Sequence, residues 1–216
     1  MTAGHRDPLV IAIDGPAGAG KSTVGRAVAA RLGLQYLDTG AMYRAATFAA
    51  LRRGLDPAEV ESVGRMAGRI EIDVSDDGVV VDGVDATIEI RGREVTAAVS
   101  VVAANSAVRK EMVRRQREWV ADHRGGVVEG RDIGSVVFPD AALKLYVTAS
   151  PRVRAERRVA EIGGSVDEVE NSIIERDRKD SGRADSPLVE AHGAVIVDTS
   201  DMGVDEVVDH IIGLLS

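Results

Sequence analysis

Eight consecutive residues, Gly15-Pro16-Ala17-Gly18-Ala19-Gly20-Lys21-Ser22, fit the spacing G-x-x-x-x-G-K-[ST]. The chemistry of that spacing is phosphate capture. Small residues let successive backbone N–H groups turn inward toward phosphate oxygens, and a helix beginning near Lys21 presents the positive end of its dipole. Lys21 is expected to reach the β- and γ-phosphates of a nucleoside triphosphate and Ser22 to ligate Mg²⁺, with the phosphate-binding run extending from Gly15 to Thr23. Asp14, directly before the loop, could support the metal or pair locally. Such a loop identifies the triphosphate but not what is done with it.

Candidates for the second half of a reaction lie downstream. Asp38-Thr39-Gly40 is followed by Ala41-Met42-Tyr43-Arg44. Read alone, Asp-Thr-Gly could signal an aspartic protease, but that chemistry needs two such carboxylates in a β-rich setting. At the end of a parallel strand the same residues can meet a substrate, with Arg44 either a phosphate clamp or a surface arginine. In Val127-Val128-Glu129-Gly130-Arg131-Asp132-Ile133-Gly134, Glu129 suits an acid that holds Mg²⁺ directly or through water. Arg131 and Asp132 would project from the following loop, toward a ligand or toward each other. Over Ile173–Asp180 a helix is expected with Ile173 and Ile174 inward and Arg176 and Asp180 at i, i+4; one more turn puts Arg183 on that face. The face could grip a ribose and a phosphate or be a solvated salt-bridge ladder. Arg152, Arg154, Arg157 and Arg158 precede Gly163-Gly164, which reads as a hinged lid able to exclude water. Arg114, Arg115 and Arg117 read instead as the outer face of a helix whose inner face carries Val108, Met112 and Trp119.

These groups need a scaffold. Five short apolar runs, Leu9–Ile13, Leu34–Leu37, Val127–Glu129, Leu143–Thr148 and Ala194–Asp198, have the length and flanking turns of buried strands. Helical patterns separate them, the first (Val24, Ala27, Val28, Leu32) ending at Gly33. Asp56-Pro57-Ala58-Glu59 and Ser150-Pro151 read as helix starts with an N1 proline. This alternation predicts an α/β fold, a five-stranded parallel sheet flanked by helices. One stretch departs from it. Ile70–Val74, Val79–Val81 and Val84–Ile88, with the turn Ser75-Asp76-Asp77-Gly78, predict small antiparallel strands in an inserted subdomain, followed by helices near Arg93–Ala103 and Ser106–Asp122. The expected layout is one domain: a core (about 1–66, 124–150 and 188–216), an insert (about 67–123) and a lid region (about 151–187).

Composition narrows the function. The chain has 216 residues, with 27 Lys and Arg against 35 Asp and Glu and a formal charge of −8. Binding to DNA or RNA polymers is driven by cations that release counterions from phosphates, so that class is disfavoured. Only Lys21, Lys110, Lys144 and Lys179 are lysines. The arginine skew suits bidentate anion capture, although a GC-rich genome would produce it too. With no cysteine, thiol catalysis, disulfides and Cys-based zinc sites are excluded. The stretch MTAGHRDP has no apolar signal core and no apolar run reaches the ~18 residues of a membrane helix, so a cytoplasmic chain with no membrane partner is expected. A guanine-reading Asn-Lys-x-Asp segment is missing, which argues against a Ras-like GTPase. A compact phosphate-loop chain with a mid-chain insertion predicts a P-loop kinase for a small molecule.

Four stretches together resemble the bacterial cytidylate kinase family along nearly the whole chain: Ile13–Thr23, Leu37–Arg44, Gly130-Arg131-Asp132-Ile133-Gly134-Ser135-Val136-Val137-Phe138-Pro139-Asp140, and Glu175-Arg176-Asp177-Arg178-Lys179-Asp180-Ser181. The last two are the most specific. The resemblance implies transfer of the γ-phosphoryl group of Mg-ATP to CMP or dCMP, giving ADP and CDP or dCDP, by a monomer. It implies that Ser100, Arg109 and Asp132 read the cytosine base and that Arg176 and Asp180 hold the pentose. Arg44, Arg131 and Arg183 would surround the acceptor phosphate, and Thr39 and Tyr43 would line the same pocket. Catalysis would fall to Lys21, Arg131 and Arg183, with Arg154, Arg157 and Arg158 in the lid. The lid around Gly163-Gly164 is shorter than in some members. A kinase for AMP, UMP or a small metabolite, and a non-catalytic nucleotide sensor, are the alternative readings.

Overall fold

The computed structural model describes residues 8–75 and 77–215. The N-terminal stretch read for a signal core (residues 1–7), Asp76 of the expected turn, and Ser216 lie outside the described residues. The central sheet contains β1 (Leu9–Asp14), β2 (Tyr36–Asp38), β6 (Gly125–Gly130), β7 (Leu143–Thr148) and β8 (Val195–Asp198), in the order β2-β6-β1-β7-β8. Every neighbouring pair is parallel, as five short apolar runs separated by helices require.

Alternation along β1 divides the interior in two. Val10 and Ala12 face one core, with Leu37, Val128, Met42 and Met112, while Ile11 and Ile13 face the other, with Val24, Val28, Leu145, Val207 and Ile211. The second core is covered by α1 (Lys21–Leu32) and α8 (Val204–Gly213). The first is covered by α2 (Thr39–Arg52) and α5 (Ser106–His123) and runs on into the inserted segment. Gly33 ends α1 in the left-handed region at φ 65°, its N–H bonded to the carbonyls of Ala29 and Ala30, a close that only glycine makes without strain.

Between α2 and α5 the chain forms α3 (Val60–Ala67), an antiparallel sheet of β3 (Ile72–Ser75), β4 (Gly78–Val81) and β5 (Val84–Asp85), and α4 (Arg93–Ala103). After α5 and the central strands, α6 (Pro151–Ile162) and α7 (Val166–Ser181) pack together as a hairpin around Gly163-Gly164. No helix among the described residues is long and apolar enough to cross a membrane.

Several expectations need correction. Asp56-Pro57-Ala58-Glu59 is a turn rather than a helix start: the Asp56 side chain accepts the Ala58 N–H at 2.9 Å, and α3 begins at Val60 behind Glu59. The strand expected over Val84–Ile88 stops at Asp85, where the Asp85 carboxylate accepts the Thr87 N–H and turns the chain. Ile174 is exposed while Ile173 is buried, because successive residues on a helix cannot share a face. Helix α7 ends at Ser181, two residues short of Arg183. Arg115 and Arg117 are not an idle outer face: Arg115 donates to the carbonyls of Ala67 and Ile70, and Arg117 to those of Val136 and Val137.

Gly15 has φ 144°, and a Cβ there would lie 1.9 Å from the Val147 carbonyl oxygen. Gly15→Ala therefore combines overpacking with a backbone conformation that alanine resists, and should lower unfolding free energy by roughly 2–5 kcal/mol in urea denaturation.

Candidate active site

The ends of β1, β2 and β6 meet at the carboxyl edge of the sheet, where open α/β folds bind ligands. The phosphate loop leaves β1 at Gly15 and enters α1 at Lys21, and Gly18 and Gly20 take left-handed backbone angles that shape its turns. Lys21 is buried, and its Nζ donates to the Pro16 carbonyl at 2.8 Å, across the loop it belongs to. Burial, with the Arg131 charge next in weight, pushes its ammonium down to about 7, while Glu129, Asp38 and Asp14 pull the other way.

Ser22 and Glu129 are paired. The Ser22 hydroxyl donates to Glu129 Oε1 at 2.8 Å, and the buried Oε2 has no hydrogen-bond partner among the described residues. Burial raises the Glu129 carboxyl, and the neighbouring Lys21 charge opposes that rise. A hydroxyl, a carboxylate with a spare oxygen and the phosphates of a nucleotide form the hard-oxygen set that suits Mg²⁺. The Tyr36 ring lies against the same helix, in a notch that Gly25 leaves open: a Cβ there would sit 2.8 Å from Tyr36 Cε2. Asp14 pairs with main chain from a distant part of the sequence rather than with a neighbour. It is buried, and both carboxylate oxygens accept backbone N–H groups, from Ile133 at 2.8 Å and Gly134 at 2.7 Å.

Beside the loop lies a cleft of about 510 Å³. All ten residues expected around the acceptor, Thr39, Tyr43, Arg44, Ser100, Arg109, Arg131, Asp132, Arg176, Asp180 and Arg183, line it. Gly40, Val99, Ala103 and Gly130 complete the lining. Being small or apolar, Val99 and Ala103 carried no signal beyond their place on α4. Gly130 allows close approach, since a Cβ would stand 2.8 Å from the Thr39 hydroxyl. That hydroxyl donates to the Glu129 carbonyl at 2.7 Å, and α2 begins there with the Asp38 side chain accepting the Ala41 N–H.

The charges in the cleft are arranged in advance. Arg131 and Asp132 do not pair with each other. Arg131 Nε donates to Asp180 at 3.0 Å, Arg183 binds the other oxygen of Asp180, and Arg109 binds Asp132. Burial alone would raise the Asp180 carboxyl, but the Arg131 and Arg183 charges outweigh it and hold it low. Arg183 thus reaches the site through Asp180, although the helix has already ended. Arg109 also lies 5.4 Å from the Tyr43 ring centroid. Arg44 donates to the Ile90 carbonyl and the Thr96 hydroxyl, both at 3.0 Å. Burial, with Arg176 and Arg91 nearby, lowers it to about 10. Burial followed by the Arg131 charge lowers Arg176 as well.

The arginines assigned to a lid divide. Arg154 is buried and fixed: it donates to the carbonyls of Ala149 and Ala17 and pairs with Asp177 at 2.7 Å. Through the Ala17 carbonyl it is tied to the phosphate loop. Arg157 donates to the Thr199 carbonyl at 2.6 Å and hydroxyl at 3.1 Å, beside Gly20. Arg158 is exposed and pairs with Glu161.

The model of the cytidylate kinase family matches residues 11–216. A cytidylate kinase of Corynebacterium efficiens is 49% identical over 215 residues, covering 95% of this chain and 94% of that protein. One from Mycobacterium leprae is 49% identical over 212 residues, covering 96% and 95%. Among solved structures, a gluconokinase from Sinorhizobium meliloti 1021 has a TM-score of 0.51 at 17% identity, covering 98% of this chain and 93% of that one, a likeness of fold.

The lowered Lys21 ammonium has a measurable consequence. At pH 8, above that lowered value, the ammonium is mostly deprotonated, and phosphates placed beside it favour the charged form, so binding takes up a proton. Calorimetric titration with ATP at pH 8 in two buffers of different ionisation enthalpy should show uptake of close to one proton, lost in Lys21→Met.

Proposed function

The chain belongs to the cytidylate kinase family, and we propose that the cleft beside its phosphate loop binds CMP or dCMP and receives the γ-phosphoryl group of ATP there. The observation that carries this reading is the convergence of Arg44, Arg131, Arg176 and Arg183 on one cleft beside Lys21, with Asp132 and Arg109 at its inner end. Two polyanions need such a concentration of cations, and the inner pair supplies base-reading chemistry. A carboxylate at Asp132 accepts from the 4-amino group of cytosine, whereas uracil presents a carbonyl at that place and would be repelled.

In this reading the donor phosphates lie along Gly15–Thr23, and Lys21 leaves the Pro16 carbonyl to meet the β- and γ-phosphates. Arg131, Arg183 and Arg44 hold the acceptor phosphate, Asp180 and Arg176 the pentose, and Thr39, Tyr43 and Ser100 the walls. An acceptor phosphate oxygen is already anionic and the transition state is loose, so no strong general base is required. What the residues supply is alignment and neutralisation of charge on the transferring group. Ser22 and Glu129 would hold Mg²⁺, which when bound screens the repulsion between donor phosphates. Arg158, exposed on α6 and held by a surface pair with Glu161, is the lid arginine that would join a closed state, while Arg154 holds the Ala17 carbonyl of the phosphate loop. The insert carrying Ser100 and Arg109, the core and the α6–α7 lid region are then the three working parts of one domain.

A coupled assay of ADP release against CMP, dCMP, UMP and AMP tests the activity; turnover with AMP or UMP equal to that with CMP would overturn it. Lys21→Ala or Arg131→Ala should lower kcat/KM for CMP about 10³-fold, the scale of losing a charged contact to the transition state. Asp132→Asn should reduce the preference for CMP over UMP at least about tenfold.

A further inference from the structure

Asp14 is a buried carboxylate, 2% exposed, and does not line the cleft. Burial pushes its carboxyl up to about 6, the two N–H bonds partly offsetting this, so at neutral pH it stays ionised in a place that disfavours charge. It is the last residue of β1, opposite Gly130 at the end of β6, and Gly15 of the phosphate loop follows it directly. Its two oxygens accept the N–H groups of Ile133 and Gly134, the residues immediately after Arg131-Asp132. There the chain makes a wide π-type turn over Ile133–Val137, with the Phe138 N–H bonded back to the Ile133 carbonyl at 2.7 Å, and the Asp132 backbone is at φ −147°, ψ 25°.

Asp132 is thus held from two sides. Arg109 grips its carboxylate, and Asp14 grips the main chain just beyond it. Two N–H donors, one to each oxygen, need two acceptor atoms on a single short side chain, which a carboxylate has and an amide lacks. We propose that Asp14 is a positioning residue for the acceptor: it fixes the Arg131-Asp132 loop against the root of the phosphate loop, so that base reading and acceptor-phosphate grip are set in register with the donor. This rests on the reading of the cleft as the CMP site.

The test is Asp14→Asn, which keeps shape and loses one acceptor. With ATP saturating, KM for CMP should rise about tenfold and the ratio of kcat/KM for CMP over UMP should fall about tenfold, the scale of one misplaced buried hydrogen bond. The affinity for ATP alone, from calorimetry, should stay within about threefold. A merely structural Asp14 would lower the unfolding midpoint while leaving KM and the CMP/UMP ratio of the folded fraction at their original values, and that result would overturn the proposal. Should Asp14→Asn fail to fold, Asp14→Glu keeps the charge and both oxygens but displaces them by a methylene; the same rise in KM and fall in ratio is expected, and unchanged values overturn the proposal. Absence of CMP-dependent turnover in the unsubstituted chain removes the reading of the cleft and this inference with it. Normal turnover there, with an unaltered variant, removes this inference alone.

Discussion

The structure depends on holding many charges out of water at one edge of a parallel sheet before any anion is bound. Lys21, Arg109, Asp132, Asp180, Glu129 and Asp14 are all buried. An isolated charge in such a place is costly, and a buried ion pair seldom adds stability of its own. The chain answers by giving each cation a local partner: Lys21 the Pro16 carbonyl, Arg109 the Asp132 carboxylate, Arg131 and Arg183 the shared Asp180. Arg109, Arg131 and Arg183 are oriented by these protein partners, which limits the side-chain freedom they have left to lose. The sheet and helices, held by their apolar cores, bring those partners together from distant parts of the sequence.

Much of this was legible in sequence wherever the causal chemistry is local. The phosphate loop works through the spacing of its own glycines, and the five strands through short apolar runs between turns, so both could be read from adjacent residues. The serine-proline start of α6 could too, since Ser150 accepts the Val153 N–H within its own turn. The start of α3 could not, because the Asp56 side chain is equally at home closing a turn on Ala58. Ser100 and Arg109 emerged only through family resemblance: a lone serine or arginine on a mostly apolar helix face has no periodic signature. Asp14 was left open for a different reason. Its partners lie about 120 residues further on, and nothing in β1 announces a turn that β6 will supply.

Arginines were the hardest residues to sort. Arg154, Arg157 and Arg158 occupy one helix within five positions, yet the first is buried beneath the phosphate loop, the second is tied to Thr199 and the third faces solvent. A guanidinium on a long stem can follow any of these courses, and the choice is made by which carbonyls and carboxylates the neighbouring elements expose. The net charge of −8 likewise says little about the cleft. It averages an acidic exterior with a basic interior edge.

The alternation of β1 has a consequence for how such a protein can change. Val10 and Ala12 belong to the packing that continues into the inserted segment, whereas Ile11 and Ile13 belong to the packing beneath the phosphate loop. The sheet is a partition between two apolar compartments built on alternate residues of the same strands. Substitutions in the part of the first compartment that lies far from the phosphate loop add their cost to global stability without coupling to the packing beneath that loop. A lineage built on this plan is free to renegotiate what it phosphorylates while keeping intact the half that holds the phosphoryl donor.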